Sequence, residues 1–163
     1  MAVKIFKKGS TERISQNFVA KEFDCPCSKC SETPIDVDFV IKVLQPIRIK
    51  AGRPMYVNAY RCPAHNAEVP NASPNSRHMN PGDAYDCQIP GFSTIEIARL
   101  AEQLGAKGIG YYEKDDFCHL DNRPNKKFWL GHEQTPWDTF LDDSEKKLKS
   151  FIEELEALLA KYK

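Results

Sequence analysis

The sequence has no surplus of charge: among its 163 residues, 23 basic side chains are balanced by 23 acidic ones. A chain without a net field cannot draw in nucleic acid or an anionic membrane at long range, so its binding has to be local. Long apolar runs are also missing, and nothing approaches the roughly 18 residues that mark a membrane span. Residues 1–15 are polar and basic and lack the apolar stretch of a secretory signal. The expectation is synthesis in the cytoplasm. Histidine is scarce, with four in all, which makes each one easy to weigh. The length suits one domain over 1–140, followed by a helix over 141–163.

Six cysteines are present. Three lie in Cys25-Pro26-Cys27-Ser28-Lys29-Cys30, and Cys62, Cys87 and Cys118 are dispersed. In a chain without an export signal, reduced thiols or a structural metal are favoured over a disulfide framework. The three clustered thiols are one short of a closed tetrahedral zinc site, for which Cys62 is a candidate fourth ligand. A local disulfide competes with that reading, and so do thiols that are free or simply pack, which is the preferred one.

Periodicity supplies the elements. A strand is expected over 3–6, with 18–23 as a lead-in to the core. A helix follows Asp36 as N-cap, with Val37, Val40, Ile41, Leu44 and Ile47 on one face and Pro46 bending its last turn. Residues 55–60 read as a strand that delivers Arg61 at its end. Residues 63–75 begin as a short helix and become a Pro/Asn loop of the kind that borders a cleft. Further strands are expected over 84–89, 107–112, 117–121 and 127–130, with 131–140 irregular. Ser93-Thr94-Ile95-Glu96 has the form of a capping box ahead of a helix that Gly105 stops. Leu148, Phe151, Ile152, Leu155, Leu158, Leu159 and Tyr162 form an apolar stripe on a C-terminal amphipathic helix. Packing on its own domain is preferred for that stripe over self-association or a partner.

The chemistry concentrates in two segments. Residues 76–86 carry His78 and, eight positions on, Asp86; residues 117–123 carry His119. Two imidazoles and a carboxylate are a donor set for catalytic zinc, which leaves a fourth position open. Amide hydrolysis at such a metal needs a base and benefits from a cation for developing or substrate negative charge. Asp121 or Asp116 fits the base and Arg61 the cation. Alternation along the strand puts His119 and Asp121 on one face.

These residues carry a family pattern. Ser76, His78, Gly82, Ala84 and Asp86, then His119 and Asp121, take the places of S-x-H-x(2)-G-x-A-x-D and H-x-D. Phe23-Asp24-Cys25-Pro26-Cys27, Leu44 to Arg48, Asn58-Ala59-Tyr60-Arg61-Cys62 and Gly108-Ile109-Gly110-Tyr111-Tyr112 match further segments in the right order. From about residue 15 to 130, the chain resembles the zinc D,D-carboxypeptidase and L-alanyl-D-glutamate endopeptidase family of murein peptidases. That family includes vancomycin-resistance-type carboxypeptidases and phage endolysins.

The resemblance implies an α+β fold, a small and largely antiparallel sheet flanked by helices, as in hedgehog and D,D-peptidase domains. It also implies zinc on His78, Asp86 and His119, substrate contacts from Arg61 and Asn58, and a supporting hydrogen bond from Ser76. His65 and His132 are expected to be structural. The implied activity is cleavage of a peptide bond next to a D-amino acid in the peptidoglycan stem, after release to the wall or on a virion or injection device.

The spacing from His78 to Asp86 is one residue longer than the family pattern, with Asn80-Pro81 taking up the insertion. That departure motivates an alternative, a zinc-containing wall-binding module that turns over little or nothing. In a third reading the cysteine cluster is the sole metal site.

Overall fold

The computed structural model describes residues 3–160, and the architecture is α+β as expected. Strand β1 (Val3–Lys7) pairs antiparallel with β2 (Glu32–Asp36) in a two-stranded sheet. The main sheet has six strands. In spatial order these are β3 (Tyr56–Asn58), β4 (Ala84–Gln88), β6 (Phe117–Asp121), β5 (Gly108–Tyr112), β7 (Lys127–Leu130) and β8 (Thr135–Trp137). Every neighbouring pair is antiparallel except β5 and β7.

Two strands, β2 and β8, carry no signal in the sequence. Each holds a proline, Pro34 and Pro136, and each has a neighbour on one side only. Such an edge is where a residue without an N–H is tolerated within a sheet. β3 is shorter than expected. The chain leaves the sheet after Asn58, which frees the carbonyl of Ala59 for another partner.

The helix begun at Asp36 forms, and the Asp36 carboxylate accepts from Phe39 N at 3.2 Å. It is α-helical over α1 (Val37–Phe39), π-wound over Val40–Leu44, and α-helical again over α2 (Gln45–Ala51). Pro46 explains the wide turn, because it has no N–H to donate and its ring crowds the carbonyl four residues back. A short α3 (Pro63–Asn66) follows, then α4 (Thr94–Gln103).

Ser93 occupies the N-cap of α4, but the expected capping box does not form. The serine side chain makes no cap bond, and Glu96 instead pairs with Arg99 at 2.7 Å. Gly105, at φ +87°, ends the helix as anticipated. The core lies between the sheet and these helices. Phe18, Phe23, Val40, Leu44, Ile47, Ile97, Ile109 and Leu120 are fully buried around Tyr85, whose ring stacks on Phe39 at 5.0 Å.

Helix α5 (Asp143–Ala160) starts where expected. It touches the domain through Glu145, which accepts from Gln103 at 2.8 Å, while Leu148 and Ile152 are exposed. Tyr162 and the side chains of Phe151, Leu155, Leu158 and Leu159 lie outside the described residues.

Candidate metal centre and active-site cleft

Register builds the centre. Pairing of β4 with β6 sets Asp86 directly opposite His119 and Ala84 opposite Asp121, so one sheet face presents Asp86, His119 and Asp121 together. His78 arrives from a 3₁₀ turn, Arg77–Met79, that is anchored where Arg61 N donates to the His78 carbonyl at 2.9 Å.

The inserted residue does not disturb this placement. Asn80 Nδ2 donates to Asp83 Oδ2 at 2.9 Å and closes the longer turn. Gly82, at φ +66°, passes so close to β2 that a Cβ there would lie 2.5 Å from Asp36 N. Tyr85 Oη donates to the Gly82 carbonyl at 3.1 Å and accepts from Asp36 N at 3.2 Å. The turn is thereby pinned to β2, and Asp86 keeps its register.

Each imidazole is oriented from behind. His78 Nδ1–H donates to the Ala59 carbonyl at 2.7 Å, an acceptor only, so Nε2 carries the lone pair. His119 Nε2–H donates to Asp121 Oδ2 at 3.1 Å, which turns Nδ1 toward Asp86. His78 Nε2 and His119 Nδ1 stand 3.3 Å apart, and the Asp86 oxygens lie 3.2 and 2.8 Å from them.

Three acceptors converging at that distance repel one another unless a cation lies among them. Ligand atoms about 2.0–2.1 Å from a tetrahedral zinc are separated by about 3.3–3.4 Å. The donor set, its spacing and its outer partners therefore fit zinc.

Without metal a proton serves instead. Burial works against a charged His119, but its bonds to Asp121 and Asp86 prevail and raise it to about 9. Burial likewise opposes a charged Asp86, and the bonds from His119 and His78 outweigh it, leaving the carboxyl well below the usual range.

Asp121 sits behind the centre, fully buried. It accepts from Arg123 Nε at 2.7 Å, from Arg123 N at 3.1 Å and from a second guanidinium nitrogen, and it pairs with Arg77 Nε at 3.5 Å. Burial opposes its charged form, and the bonds from Arg123 and His119 outweigh that, holding the carboxyl well below the usual range. Gly108 makes the space, since a Cβ there would fall 2.1 Å from Asp121 Oδ1. Asp116 is elsewhere. It occupies a left-handed position, φ 52°, at the β5–β6 turn and accepts from Thr94 Oγ1 at 2.6 Å.

The centre opens into a cleft of about 810 Å³. One wall is the loop Val69 to Ser73 with Asn75, Ser76 and Arg77, which the Pro/Asn composition anticipated. Arg61 reaches across and donates to Ser76 Oγ at 3.0 Å. Asn58 lies opposite Asp86 in the β3–β4 register and borders a smaller adjoining pocket with Arg61 and His78.

The other wall is one that the sequence pattern did not reveal. Trp129 leans on His119, ring centres 5.4 Å apart, and donates to Tyr112 Oη at 3.0 Å. Tyr112 stacks on Phe117 at 4.4 Å, and His132 sits edge-on to Tyr112 and 2.9 Å from Asp115. The available signal was the pair Gly108 and Gly110 on β5. A Cβ at Gly110 would lie 2.5 Å from the Trp129 ring.

Residues 16–121 match the family model described as Peptidase M15. The chain belongs to the peptidase M15 family. All three candidate ligands and Asp121 fall inside that span. The chain is also similar to a protein of Haemophilus influenzae described as a probable peptidoglycan L,D-endopeptidase, MepK. The two are 39% identical over 57 residues, which cover 35% of this chain and 30% of that protein.

Proposed function

We propose that this M15 peptidase is zinc-dependent and hydrolyses a peptide bond next to a D-amino acid in peptidoglycan. The observation that carries the reading is the composition of the cleft. Among the described residues, Asp86 is the only carboxylate lining it, against Arg61, Arg77, Arg123 and Lys127. A cationic cleft around a zinc-type donor set suits a peptide that carries free carboxylates, and murein stem peptides are of that kind. The description of the Haemophilus relative supports the same substrate class.

His78, Asp86 and His119 would hold the ion, which supplies Lewis-acid polarisation of the scissile carbonyl and acidifies water. The protein's own groups supply orientation and charge. Ala59 and Asp121 fix the two imidazoles, Arg61 holds a substrate carboxylate or the developing oxyanion, and Ser76 steadies Arg61. Asn58 contributes to the substrate pocket. Of the two acidic candidates for the base, Asp121 is engaged by His119 and Arg123, which suits positioning. Asp116 would need the β5–β6 turn to move before it could take a proton.

One observation favours the binding-module alternative: neither acidic candidate lines the cleft. Digestion of purified sacculi followed by mass spectrometry of the muropeptides decides between the two readings. Peptidase action releases new amino termini at one bond type and is abolished by His119→Ala. Sacculi that are bound and left uncut would establish the module.

A further inference from the structure

We propose that Cys25, Cys27, Cys30 and Cys62 form a second metal site, a closed four-thiolate zinc centre that clamps the N-terminal segment to the wall of the cleft. One ligand atom from each lies within 4.8 Å of all the others. Cys27 Sγ is 3.4 Å from Cys25 Sγ, 3.6 Å from Cys30 Sγ and 3.4 Å from Cys62 Sγ. Sulfurs about 2.3 Å from a tetrahedral zinc stand about 3.8 Å apart, so the three Cys27 distances are slightly shorter than in a filled site and the remaining pairs, all within 4.8 Å, need little movement.

The surroundings are those of bound thiolates. Lys29 N donates to Cys27 Sγ and His65 N to Cys62 Sγ, each at 3.4 Å, and Lys8 Nζ lies 3.9 Å from Cys30 Sγ. His65 Nδ1 reaches Cys25 Sγ at 3.4 Å from outside the four. Backbone donors and a lysine offset the negative charge that four thiolates leave around a dication.

The competing accounts fit less well. A disulfide needs one pair at about 2.05 Å, whereas Cys27 stands nearly equidistant from three sulfurs. Simple packing suits Cys25 and Cys62, which are buried, but not Cys27 and Cys30, which are half-exposed. Residues 24–31 also contain no helix or strand and no large apolar side chain that could fold them. Ligation supplies what burial does not.

The consequence reaches the cleft through one short segment. Cys62 directly follows Arg61 and caps α3, and Ala59, three residues back, fixes the His78 tautomer. With four protein ligands no position is left for substrate, so the site is structural. It holds in place the segment that carries Ala59 and Arg61.

The test is a metal count on the whole protein, independent of peptidase activity. Zinc-replete wild type is expected to carry two zinc ions by native mass spectrometry. The His78→Ala/His119→Ala variant is expected to keep one, and its Co(II) form to show the charge-transfer absorbance of thiolate-bound cobalt. Cys27→Ser/Cys62→Ser is expected to lose one ion.

Three results would overturn the proposal. They are a metal-free histidine variant, a disulfide mapped by peptide mass spectrometry to two of the four clustered cysteines, and rapid native-state labelling of the four thiols in zinc-replete wild type. None of them depends on the serine variant folding, and none bears on the catalytic reading.

Discussion

His119 is held at both edges of its ring, by Asp86 Oδ1 2.8 Å from Nδ1 and by Asp121 Oδ2 3.1 Å from Nε2. The two carboxylates have opposite tasks. Asp86 lies on the side of the candidate metal site, while Asp121 fixes which nitrogen faces it. Asp121→Asn should therefore weaken zinc binding at the histidine site by about 10–100-fold, the usual cost of losing an outer partner of a ligand. It should also lower the raised His119 pKa. Chelator competition and NMR titration of the metal-free protein check these two effects, and unchanged values would assign Asp121 another role.

The same geometry sets a pH dependence. In the metal-free protein His119 titrates at about 9, above the reference of about 6.5. Its stabilisation is thus fully present below about 6.5 and lost as pH rises through about 9. Asp86 and Asp121 are shifted downward, so their contribution is present above about 3.9 and lost as pH falls. Thermal unfolding of protein with an empty histidine site should be most resistant between about pH 4 and 6.5. Zinc must displace the His119 proton, so calorimetry at pH 7 in buffers of different ionisation enthalpy should show about one proton released per ion bound there.

Gly108 and Gly110 are spacers for the centre, and each tolerates no Cβ. Gly108→Ala would put a methyl into the Asp121 carboxylate, and Gly110→Ala would put one into the Trp129 ring. Both should cost about 1–3 kcal/mol as overpacking. Only Gly108→Ala should also reduce zinc retention at the histidine site, because of these two neighbours Asp121, and not Trp129, hydrogen-bonds a candidate ligand. Unfolding midpoints together with zinc content separate the two.

Asp116→Asn tests the remaining base. If Asp116 only ties the β5–β6 turn to α4 through Thr94, the asparagine oxygen still accepts from Thr94 at a left-handed position that Asn tolerates, so the variant should change stability by less than about 1 kcal/mol and keep its turnover. A fall in turnover of about 10²–10⁴-fold at unchanged zinc content would make it the general base.

Arg61→Ala should raise KM for a carboxylate-bearing muropeptide more than it lowers kcat if Arg61 binds substrate charge. The reverse pattern would assign it to the oxyanion.

Local residue pattern was enough for much of this protein. The helix between Ser93 and Gly105 and the shared face of His119 and Asp121 follow from spacing and residue type along single segments, while the candidate trio His78, Asp86 and His119 rests on the resemblance of two separate segments to one family pattern. The sequence misled where a neighbour, rather than the segment itself, decides. Residues 131–140 read as irregular and 32–36 give no strand signal, yet Pro136 and Pro34 both sit in edge strands, where a missing N–H is tolerated. Ser93 and Glu96 have capping-box spacing, yet Arg99 takes the glutamate.

Tertiary structure alone decided three things. Register and the carbonyl of Ala59 chose which nitrogen of each imidazole faces Asp86. Two arginines drawn around Asp121 turned a candidate base into a group engaged from behind. Folding also carried Cys62 to a cluster 32 positions earlier in the chain. Each of these draws on at least one group distant in the chain, the Ala59 carbonyl, Arg77 or Cys62, which periodicity and spacing cannot register.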